Sequence, residues 1–592
     1  MPLMGSIYIG TSGLQTSQNA LNTTAHNLSN MDTQGFVRQQ VLLGDRVYNT
    51  IRCASTGTPA QQLGLGVTYE KVRQVRDYFL DQSYRRENGR AAFYATSYEA
   101  INAVEDLFDE LNDDASFNQA MTNLWSSFQE LAKTPDDTAV QRLLIQNAQS
   151  FLTNAQHVYT GLCDYQNELN NHIKEKVDRI NELGHQIDFL NDEIRKVESG
   201  KVESANDYRD TRNKCLDELS GLVNISYQEE LNGSITVKVE GVDFVSSGVV
   251  YEMDTDLDPT TGFYIPYWKI NAKYTYDAEG DPVYDTSNAH VYDLSRLISS
   301  EKYTDIGSLR SMLYIRGDKV ADFTDIPIKP VVPDSSKYPL GTSDPDYIEA
   351  VKQFNKNMDE YDKKVDYYNH TIAQSVIMNI QAEFDQLVHN VATVVNGVLY
   401  DAYKASGGTY MANADGSPLQ IFIKVGGEGY TYNDATGEWD FVPENVDDDF
   451  HSESLYSIPN LMINPELIRE AGKMKFRYND GTVDYETAKK LIDAFDADIY
   501  CLNPNVTTKC SINTYYTNLV SQISNSGAVY KNISESQQAT VDSIDHQREE
   551  VVGVSSDEEL TSMIKFQNAY NAASRYINVV DEMLEHLINA LG

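Results

Sequence analysis

The two ends of the chain carry regular patterns of apolar residues. Near the N-terminus Ile7, Leu14, Leu21 and Leu28 recur every seven residues, which predicts an amphipathic helix. At the C-terminus apolar residues alternate steps of three and four positions, at Met563, Phe566, Tyr570, Ala573, Ile577, Val580, Leu584, Leu587 and Leu591. A series of this length is typical of a coiled-coil seam.

Polar residues mark the start of the C-terminal helix. Ser555 and Glu558 have the spacing of a capping box, and Asp557 falls in the first turn, where a negative charge is favourable. The N-terminal helix offers fewer apolar positions than the C-terminal seam. Leaving half of that seam in water would forfeit on the order of 10 kcal/mol, at roughly 1.5–3 kcal/mol per large side chain. We therefore expect the spare apolar surface to meet other subunits; the alternative is that the terminal helices pair only with each other inside one monomer.

Helical spacing continues inward from both ends. Residues 90–132 have this spacing and are closed by Pro135, and no proline interrupts 136–199. Helical spacing returns at 346–405 and at 511–550. The second half of 136–199 carries a seam at Ile180, Leu183, Ile187, Leu190, Ile194 and Val197. These segments predict long helices packed as a bundle.

Alternation of apolar and polar residues replaces helical spacing in the middle of the chain. Residues 223–245 alternate on both sides of Asn232 and Gly233, the strongest short signal for a hairpin. The longer stretch 223–345 is rich in Tyr, Asp, Gly and Pro with short alternating runs, and 421–442 predicts another hairpin. Both stretches therefore indicate β structure inserted between helices.

Together the patterns predict an α+β fold. A long helical bundle and coiled-coil terminal helices would form an elongated core, with β-rich domains inserted in the middle of the chain. The predicted domains are a terminal helical domain of 1–50 with 551–592, an elongated helical domain of 51–222 with 511–550 and the helix at 346–405, a β-rich inserted domain of 223–345, and a mixed, partly β, variable segment of 406–510.

Charge and cysteine content narrow the classes of function. The 592 residues carry a formal net charge of −41, which repels phosphate backbones and acidic membrane surfaces. No window offers the roughly 18 apolar residues of a membrane span, and the N-terminus lacks the regions of a classical signal peptide. The five cysteines are scattered and predict no disulfide framework, and Cys501 and Cys510 are expected to be free thiols. We expect a protein that is cytoplasmic or exported without a cleaved signal, with no nucleic-acid partner and no membrane insertion.

Motifs of catalysis and metal binding are missing from the sequence. The histidines are too far apart for helical zinc signatures, and neither a phosphate-binding loop nor a nucleophile elbow occurs. The segment from Asp254 begins like a calcium loop, but Pro259 stands where the sharp-turn glycine belongs. We therefore predict no enzyme activity, no metal site and no cofactor.

A spaced motif near the N-terminus resembles a known signature. Its residues are Asn27, Asn30, Thr33, Gly35, Phe36 and Arg38. This pattern resembles the N-terminal signature of bacterial flagellar axial proteins, the family of rod, hook and hook-associated subunits, in which Tyr commonly takes the place of Phe36. Positions in the C-terminal stretch, among them Arg548, Gly553, Asp557 and Glu558, look like those of the family members at the hook–filament junction.

The resemblance implies a structural axial subunit that joins hook to filament as a homo-oligomeric ring. Its implied partners are the hook protein, a second junction protein, a cytoplasmic export chaperone on the C-terminal helix, and the flagellar type III export apparatus. It implies an extracellular place in the flagellum, reached without a cleaved signal peptide. Two alternatives stay open: another axial protein, such as a hook or rod subunit, or a flagellar scaffold that displays an adhesin or sugar-binding β module.

The resemblance also suggests roles for particular residues. Leu14, Leu21 and Leu28 would pack with Ile577, Val580, Leu584 and Leu587 in the inner helical layer. Asn27, Asn30, Thr33 and Gly35 would end the first helix and set the turn beyond it. Gly553 would give the backbone freedom before the last helix.

Overall fold

A computed structural model of the chain describes residues 2–33, 35–52, 61–108, 116–200, 204–276, 282–339, 341–434, 436–446, 452–478 and 480–591. Long helices dominate it, as the helical spacing of the sequence predicts. The α-helices are α1 (Pro2–Ser29), α2 (Tyr78–Phe108), α3 (Phe117–Lys133), α4 (Thr138–Glu198), α5 (Asn206–Leu222), α6 (Ser308–Arg316), α7 (Pro345–Tyr367), α8 (Val376–Ala405), α9 (Pro465–Arg469), α10 (Tyr485–Asp496), α11 (Ile512–Val552) and α12 (Ser556–Leu591).

The strands form small antiparallel sheets. They are β1 (Gln39–Asp45), β2 (Asn49–Arg52), β3 (Gln61–Leu63), β4 (Val67–Gln74), β5 (Ile225–Glu229), β6 (Ile235–Val239), β7 (Val242–Ser246), β8 (Val249–Val250), β9 (Met253–Leu257), β10 (Tyr264–Trp268), β11 (Lys273–Tyr276), β12 (Pro282–Asp285), β13 (Phe422–Lys424), β14 (Tyr430–Asn433), β15 (Glu438–Phe441) and β16 (Leu461–Ile463). The largest sheet has the order β5-β6-β7-β8, and the others are two-stranded pairs.

Two antiparallel helix pairs organise the ends of the chain. In the outer pair, a Cβ placed on Gly10 of α1 would lie 2.6 Å from Ile577 Cγ1 of α12, while Asn27 reaches Glu559 near the start of α12. In the inner pair, α11 lies along α2, and the Ser524 hydroxyl donates to Glu105 at 2.7 Å. The β1–β4 hairpin lies against α1, where the amide of Val67 donates to the Ser12 hydroxyl at 3.3 Å.

Helix α4 connects the two large hydrophobic cores. Its first part, from Leu144 to Leu169, packs in a core with α2, α3, α8, α10 and α11. Its second part, from Ile173 to Leu190, packs in a core with α5, α6 and the strands that follow α5. The predicted seam lies on this second part, and Ile180, Leu183 and Ile187 are fully buried there.

Several local predictions are confirmed. The uninterrupted helix expected at 136–199 is α4, with 61 residues, and the helix expected at 511–550 is α11. Asn232 and Gly233 connect β5 to β6, and Gly233 takes the left-handed φ of +86° that such a turn requires. The hairpin expected within 421–442 is β14–β15. The cysteines in the described part of the chain, Cys163, Cys215, Cys501 and Cys510, are free thiols, and Cys53 lies outside it.

Two segments differ from the sequence-based expectation. The single helix expected at 346–405 is divided into α7 and α8, because the chain turns after residue 372 and the Ser375 hydroxyl caps the amide of Met378 to start a new helix. In the segment 223–345 the strands end at Asp285, and α6 follows at Ser308 to pack against α2 and α4. The division of the chain into domains stays a prediction.

No helix within the described ranges is long and apolar enough to cross a membrane. Nor do the described residues contain a group of three or more His, Cys, Asp or Glu side chains that could hold a metal ion.

Candidate assembly interface

Small residues line the side of α1 on which Gly10, Gly13 and Asn27 contact α12. Ser17, Ala20, Thr24 and Asn27 are all buried, and together with Gly10 they follow one stripe of α1 at steps of seven, three and four residues. Because none of them is large, the two helix backbones approach closely. A Cβ on Gly10 would clash with Ile577, whereas one on Gly13 would lie 3.5 Å from the Ala573 Cβ, an ordinary contact.

The large residues predicted to pack in this layer flank the small-residue stripe. On α1 the side chains of Leu14, Leu21 and Leu28 are half-buried. On α12 Val580 is buried, and the other predicted seam residues are half-buried: Met563, Phe566, Tyr570, Ile577, Leu584 and Leu587. The pairing of α1 and α12 within one chain therefore leaves part of this layer uncovered. Packing of these residues across subunits stays a prediction.

A strip of apolar residues on α12 stays largely exposed beside the contact with α1, although the Tyr576 ring also lies near Gly10. Tyr576, Val579 and Met583 are 41%, 46% and 54% exposed. Their spacing of three and four residues places them on one side of the helix, next to the seam. We call these three residues the outer strip. Contiguous exposed apolar surface of this kind is characteristic of a protein–protein contact.

A cluster of polar residues holds the two ends of the chain together at the base of the helix pair. Arg38 Nε donates to Glu559 at 2.8 Å and Arg38 Nη1 lies 3.0 Å from Glu558. Asn27 Nδ2 donates to Glu559 at 3.2 Å and to the carbonyl of Gln39 at 2.8 Å. We call Asn27, Arg38, Glu558 and Glu559 the terminal clasp. The carboxylate of Glu559 is almost fully buried, while that of Glu558 is exposed.

The other residues of the N-terminal motif shape the turn that follows α1. The amide of Thr33 donates to the Asn30 carbonyl at 3.0 Å, and the amide of Phe36 donates to the Thr33 carbonyl at 3.1 Å. Gly35 has a φ of +83°, which favours glycine. The ring of Phe36 packs edge-on against His26 at 5.4 Å. The turn brings Arg38 back to the start of α12.

A second polar cluster fixes α11 against the helices beside it. Arg548 Nη2 donates to Asp217 at 2.7 Å, Arg548 Nε lies 3.4 Å from Asp81, and the guanidinium stacks 4.4 Å from the Tyr84 ring. Asp217 also accepts from Arg85 Nε at 2.7 Å. Since these residues come from α2, α5 and α11, the cluster joins three helices just before the link to α12.

Close packing, and not a special backbone conformation, accounts for glycine at position 553. Gly553 has a φ of −67°, which any residue adopts. Its amide caps α11 by donating to the Glu549 carbonyl at 2.7 Å, and a Cβ there would lie 2.5 Å from the same oxygen. The next hydrogen bond of the link runs from the Arg38 amide to the Val552 carbonyl at 2.9 Å. Asp557 follows as an exposed residue in the first turn of α12.

A buried carboxyl group joins the turn after α1 to α5. Asp210 accepts from the Val37 amide at 3.3 Å and from Gln74 Nε2 at 2.6 Å. Burial raises the pKa of Asp210 to about 7, although these hydrogen bonds and Arg76 favour the charged form. The terminal helix pair is therefore tied to the helical body by contacts from the turn, the hairpin and α11.

The sequence places Glu559 in the favourable first turn of α12 but does not predict its contact with Arg38, and it does not predict the small-residue stripe. The stripe had a visible signal, because Gly10, Ser17 and Thr24 recur every seven residues, as the neighbouring leucines do. The link from Arg38 to Glu559 spans 521 residues, and no local pattern reports a contact of that separation.

Comparisons with known families match the segments that build this interface. Residues 7–36 match the flagella basal body rod protein family, and residues 546–590 match the C-terminal family of the flagellar basal body rod FlgEFG proteins. Residues 101–278 match the helical domain of the flagellar hook-associated protein FlgK. The chain is thus a flagellar axial protein, of the class to which rod, hook and hook-associated subunits belong.

Comparisons over the whole chain narrow the class. Flagellar hook-associated protein 1 of Bacillus subtilis is 25% identical over 586 residues, covering 98% of this chain and 96% of that protein. Its counterpart in Salmonella typhimurium is 23% identical over 600 residues, covering 98% of each. A solved structure of the flagellar hook junction protein FlgK from Burkholderia pseudomallei shares the fold, with a TM-score of 0.50 and 12% identity, over 80% of this chain and 100% of that one. The chain is therefore similar over nearly its whole length to flagellar hook-associated protein 1, which supports a structural, hook-associated axial component of the flagellum.

Proposed function

We propose that the chain is the ring-forming subunit that joins the flagellar hook to the filament. The α1–α12 pairs of neighbouring subunits would pack side by side in the inner layer of the axial structure. The observation that carries this proposal is the outer strip, because α1 covers only one side of α12 and leaves Tyr576, Val579 and Met583 in contact with solvent. At about 25 cal/mol per Å² of apolar surface, a neighbouring helix on this strip would stabilise the ring.

The remaining partners belong to the same proposal, which the exposed apolar surface of α12 and the similarity to flagellar axial proteins support. The hook protein would lie below the ring, and a second junction protein, then the filament, above it. Before export an exposed apolar helix needs cover, which a cytoplasmic chaperone bound to α12 would supply. Passage through the type III export apparatus, without a cleaved signal peptide, would then place the subunit outside the cell at the hook–filament junction.

The test is addition of the purified full-length chain to isolated hooks that lack filaments, followed by electron microscopy of the hook ends. The test variant is Val579→Glu with Met583→Glu, which places two charges on the outer strip. The matched control is Asn571→Glu with Asn578→Glu, which adds the same charge at exposed positions on another side of α12.

Wild-type and control chains are expected to cap the distal ends of the hooks, and the outer-strip variant is expected not to. Equal capping by the two variants would show that the outer strip is not a subunit contact. Binding of the wild-type chain along the sides of hooks, or to rods, would favour a different axial subunit.

A second candidate function has one observation in its favour. Tyr274 and Tyr276 on β11 are 58% and 68% exposed, and their rings pack edge to face at 5.7 Å. Exposed aromatic faces can stack on sugars, so the chain could display an adhesin module on the flagellum. Binding of the full-length chain to a glycan array, abolished by Tyr274→Ala with Tyr276→Ala, would support this function.

A further inference from the structure

A cavity of about 880 Å³ lies where the β-rich segment meets the helical body. Its walls come from the loop before β10, from residues 287–296, and from the C-terminal end of α6. Apolar groups such as Ile265 and Leu313 line it together with neutral polar groups and charged side chains. The carboxylates in the wall are Glu240, Asp258, Asp293 and Asp318. This volume falls within the range of small-molecule sites.

Arg316 is the unusual residue of this cavity. It is the last residue of α6 and only 1% exposed, yet within the described ranges it forms no ion pair with a carboxylate. Buried charges in proteins are normally paired, because removing a charge from water is costly. Burial lowers the pKa of Arg316 to about 10, so the guanidinium still carries its charge at neutral pH.

The guanidinium of Arg316 is held rigidly by neutral partners. Nη1 donates to Asn170 Oδ1 at 2.7 Å and to the Tyr264 carbonyl at 2.8 Å, and Nε donates to the Gly317 carbonyl at 3.0 Å. The plane stacks on the Phe263 ring at 4.7 Å. These contacts use Nε and Nη1 and leave Nη2 without a hydrogen-bond partner among the described residues.

The backbone around Arg316 is fixed as well. The fully buried Gln166 of α4 donates through Nε2 to the carbonyls of Arg316, at 2.6 Å, and of Lys319, at 2.9 Å. Gln166 in turn accepts from Gln381 of α8 at 3.1 Å. The position of the guanidinium is therefore set by α4, α6 and α8 together, and a ligand would meet a preorganised group.

A second polar group in the wall of the same cavity lacks a partner. The Tyr292 hydroxyl is buried and makes no hydrogen bond in the part of the chain that the structure describes. Burial raises the pKa of Tyr292 well above its ordinary value, so the hydroxyl keeps its proton and can donate. Arg310 Nη2 donates to Glu240 at 2.6 Å and its guanidinium lies 4.8 Å from the Tyr292 ring, so that arginine is already paired.

We propose that this cavity binds a small organic carboxylate, with one carboxylate oxygen on Arg316 Nη2 and the Tyr292 hydroxyl donating to a further oxygen of the ligand. A single free guanidinium nitrogen suits one anionic oxygen, whereas a phosphate group would call for the two-nitrogen fork that Arg316 has already used. The wall combines apolar groups with hydroxyl, amide and carboxylate groups, and the carboxylates can accept hydrogen bonds from the hydroxyls of a ligand the size of a sugar acid. The site is distinct from the assembly interface, because none of its residues lies on α1 or α12.

The test measures binding of D-glucuronate, D-glucose and inorganic phosphate to the full-length chain by isothermal titration calorimetry. Glucuronate is expected to bind. Glucose, which lacks the carboxylate, is expected to bind at least about tenfold more weakly because one charge-assisted hydrogen bond is lost. Phosphate, which lacks the hydroxylated body, is also expected to bind at least about tenfold more weakly. Arg316→Gln is expected to weaken glucuronate binding by about tenfold or more, and Tyr292→Phe, which keeps the ring and removes only the hydroxyl, by about fivefold.

The matched control is Arg195→Gln, which removes one exposed positive charge far along α4 from the cavity. It is expected to bind glucuronate as the wild type does. Because Arg316→Gln changes a buried residue, its near-ultraviolet circular dichroism is compared with that of the wild type, and Tyr292→Phe decides the result if that spectrum changes. Equal binding of glucuronate and glucose, no binding of glucuronate by the wild type, or unchanged binding in Tyr292→Phe would overturn the proposal.

Discussion

At the scale of single residues, burial decides which of two neighbouring glutamates contributes more to the stability of the terminal clasp. Arg38 contacts both Glu558 and Glu559, but only Glu559 is withdrawn from water and shared with Asn27. An exposed ion pair is screened and contributes little, whereas loss of a buried acceptor leaves its donors unsatisfied. The adjacent glutamates therefore form a natural matched pair.

Glu559→Ala is expected to destabilise the α1–α12 pair by about 1–3 kcal/mol, because Arg38 and Asn27 lose their buried acceptor. Glu558→Ala is expected to change it by less than about 1 kcal/mol. Hydrogen exchange of the α1 and α12 amides, followed by mass spectrometry, measures both. Equal effects of the two substitutions would show that the clasp does not depend on the buried carboxylate.

Glu383 on α8 is expected to make the free energy of unfolding depend on pH. It is fully buried and accepts from Asn503 Nδ2 at 2.8 Å and from Gln522 Nε2 at 3.0 Å, and burial raises its pKa to about 7. The folded state therefore holds the proton at pH values where the unfolded chain has released it. The stability contributed by this group is present below the unfolded pKa and is lost as pH rises towards and through about 7.

The free energy of unfolding of the wild type is therefore expected to fall by roughly 1–3 kcal/mol more between pH 5 and pH 8 than that of Glu383→Gln. Urea unfolding at the two pH values measures it. Glu360→Gln on α7 removes an exposed carboxylate and serves as the charge-matched control. A steeper fall in Glu383→Gln than in the wild type would contradict the assignment.

At the scale of elements, the closeness of α1 and α12 depends on small residues. Gly10→Ala is expected to destabilise the helix pair by about 1–3 kcal/mol, because the new methyl group meets Ile577 at 2.6 Å. At Gly13 there is space for a methyl group. Gly13→Ala is therefore expected to stabilise the helix by up to about 1 kcal/mol, because it removes a flexible glycine. Hydrogen exchange of α12 distinguishes the two, and destabilisation by both would mean that the helices are closer along their whole length.

The elements also show what sequence patterns can and cannot predict. Helix α4 and the turn at Gly233 follow from local periodicity and local turn chemistry, so they could be predicted. The division between α7 and α8 could not, because the spacing of apolar residues continues across it and only the cap at Ser375 marks it. Nor could the pairing of β13 with β16, since Phe422 and Ile463 are 41 residues apart in the sequence and no local pattern links them.

The candidate interface was predicted in part for the same reason. The residues of the motif from Asn27 to Arg38 are close together in the sequence. The turn could therefore be predicted from Asn30, Thr33 and Gly35. Glu559, which accepts hydrogen bonds from Arg38 and Asn27, lies at the other end of the chain. An acidic residue in the first turn of a helix is already explained by the helix dipole, so nothing in the sequence indicates this distant contact. The apolar pattern of α1 identifies its leucines, which are only half-buried, whereas the fully buried positions of this side are small or polar residues such as Ala20, Thr24 and Asn27.

At the scale of the whole molecule, net charge opposes assembly. Each chain carries a formal charge of −41, so neighbouring copies repel one another, while the contact proposed between them is apolar. Salt screens the repulsion, with a Debye length of about 10 Å at 0.1 M, and leaves the apolar contact intact.

Raising NaCl from about 20 to about 200 mM is therefore expected to increase capping of isolated hooks by the wild-type chain, because the repulsion is screened. Electron microscopy of hook ends at each concentration measures it, with an osmotically equivalent amount of sucrose as the control. Weaker capping at high salt would mean that complementary charges, and not the outer strip, hold the subunits together.

The continuity of α4 has a mechanical consequence. One helix of 61 residues, about 90 Å long at 1.5 Å per residue, passes through both hydrophobic cores without a break. A load applied to one core reaches the other through the backbone hydrogen bonds of this helix and not through a flexible linker. The two halves of the molecule should therefore tilt and twist as one stiff body, so that compliance in a ring of such subunits would be concentrated at the short link between α11 and α12.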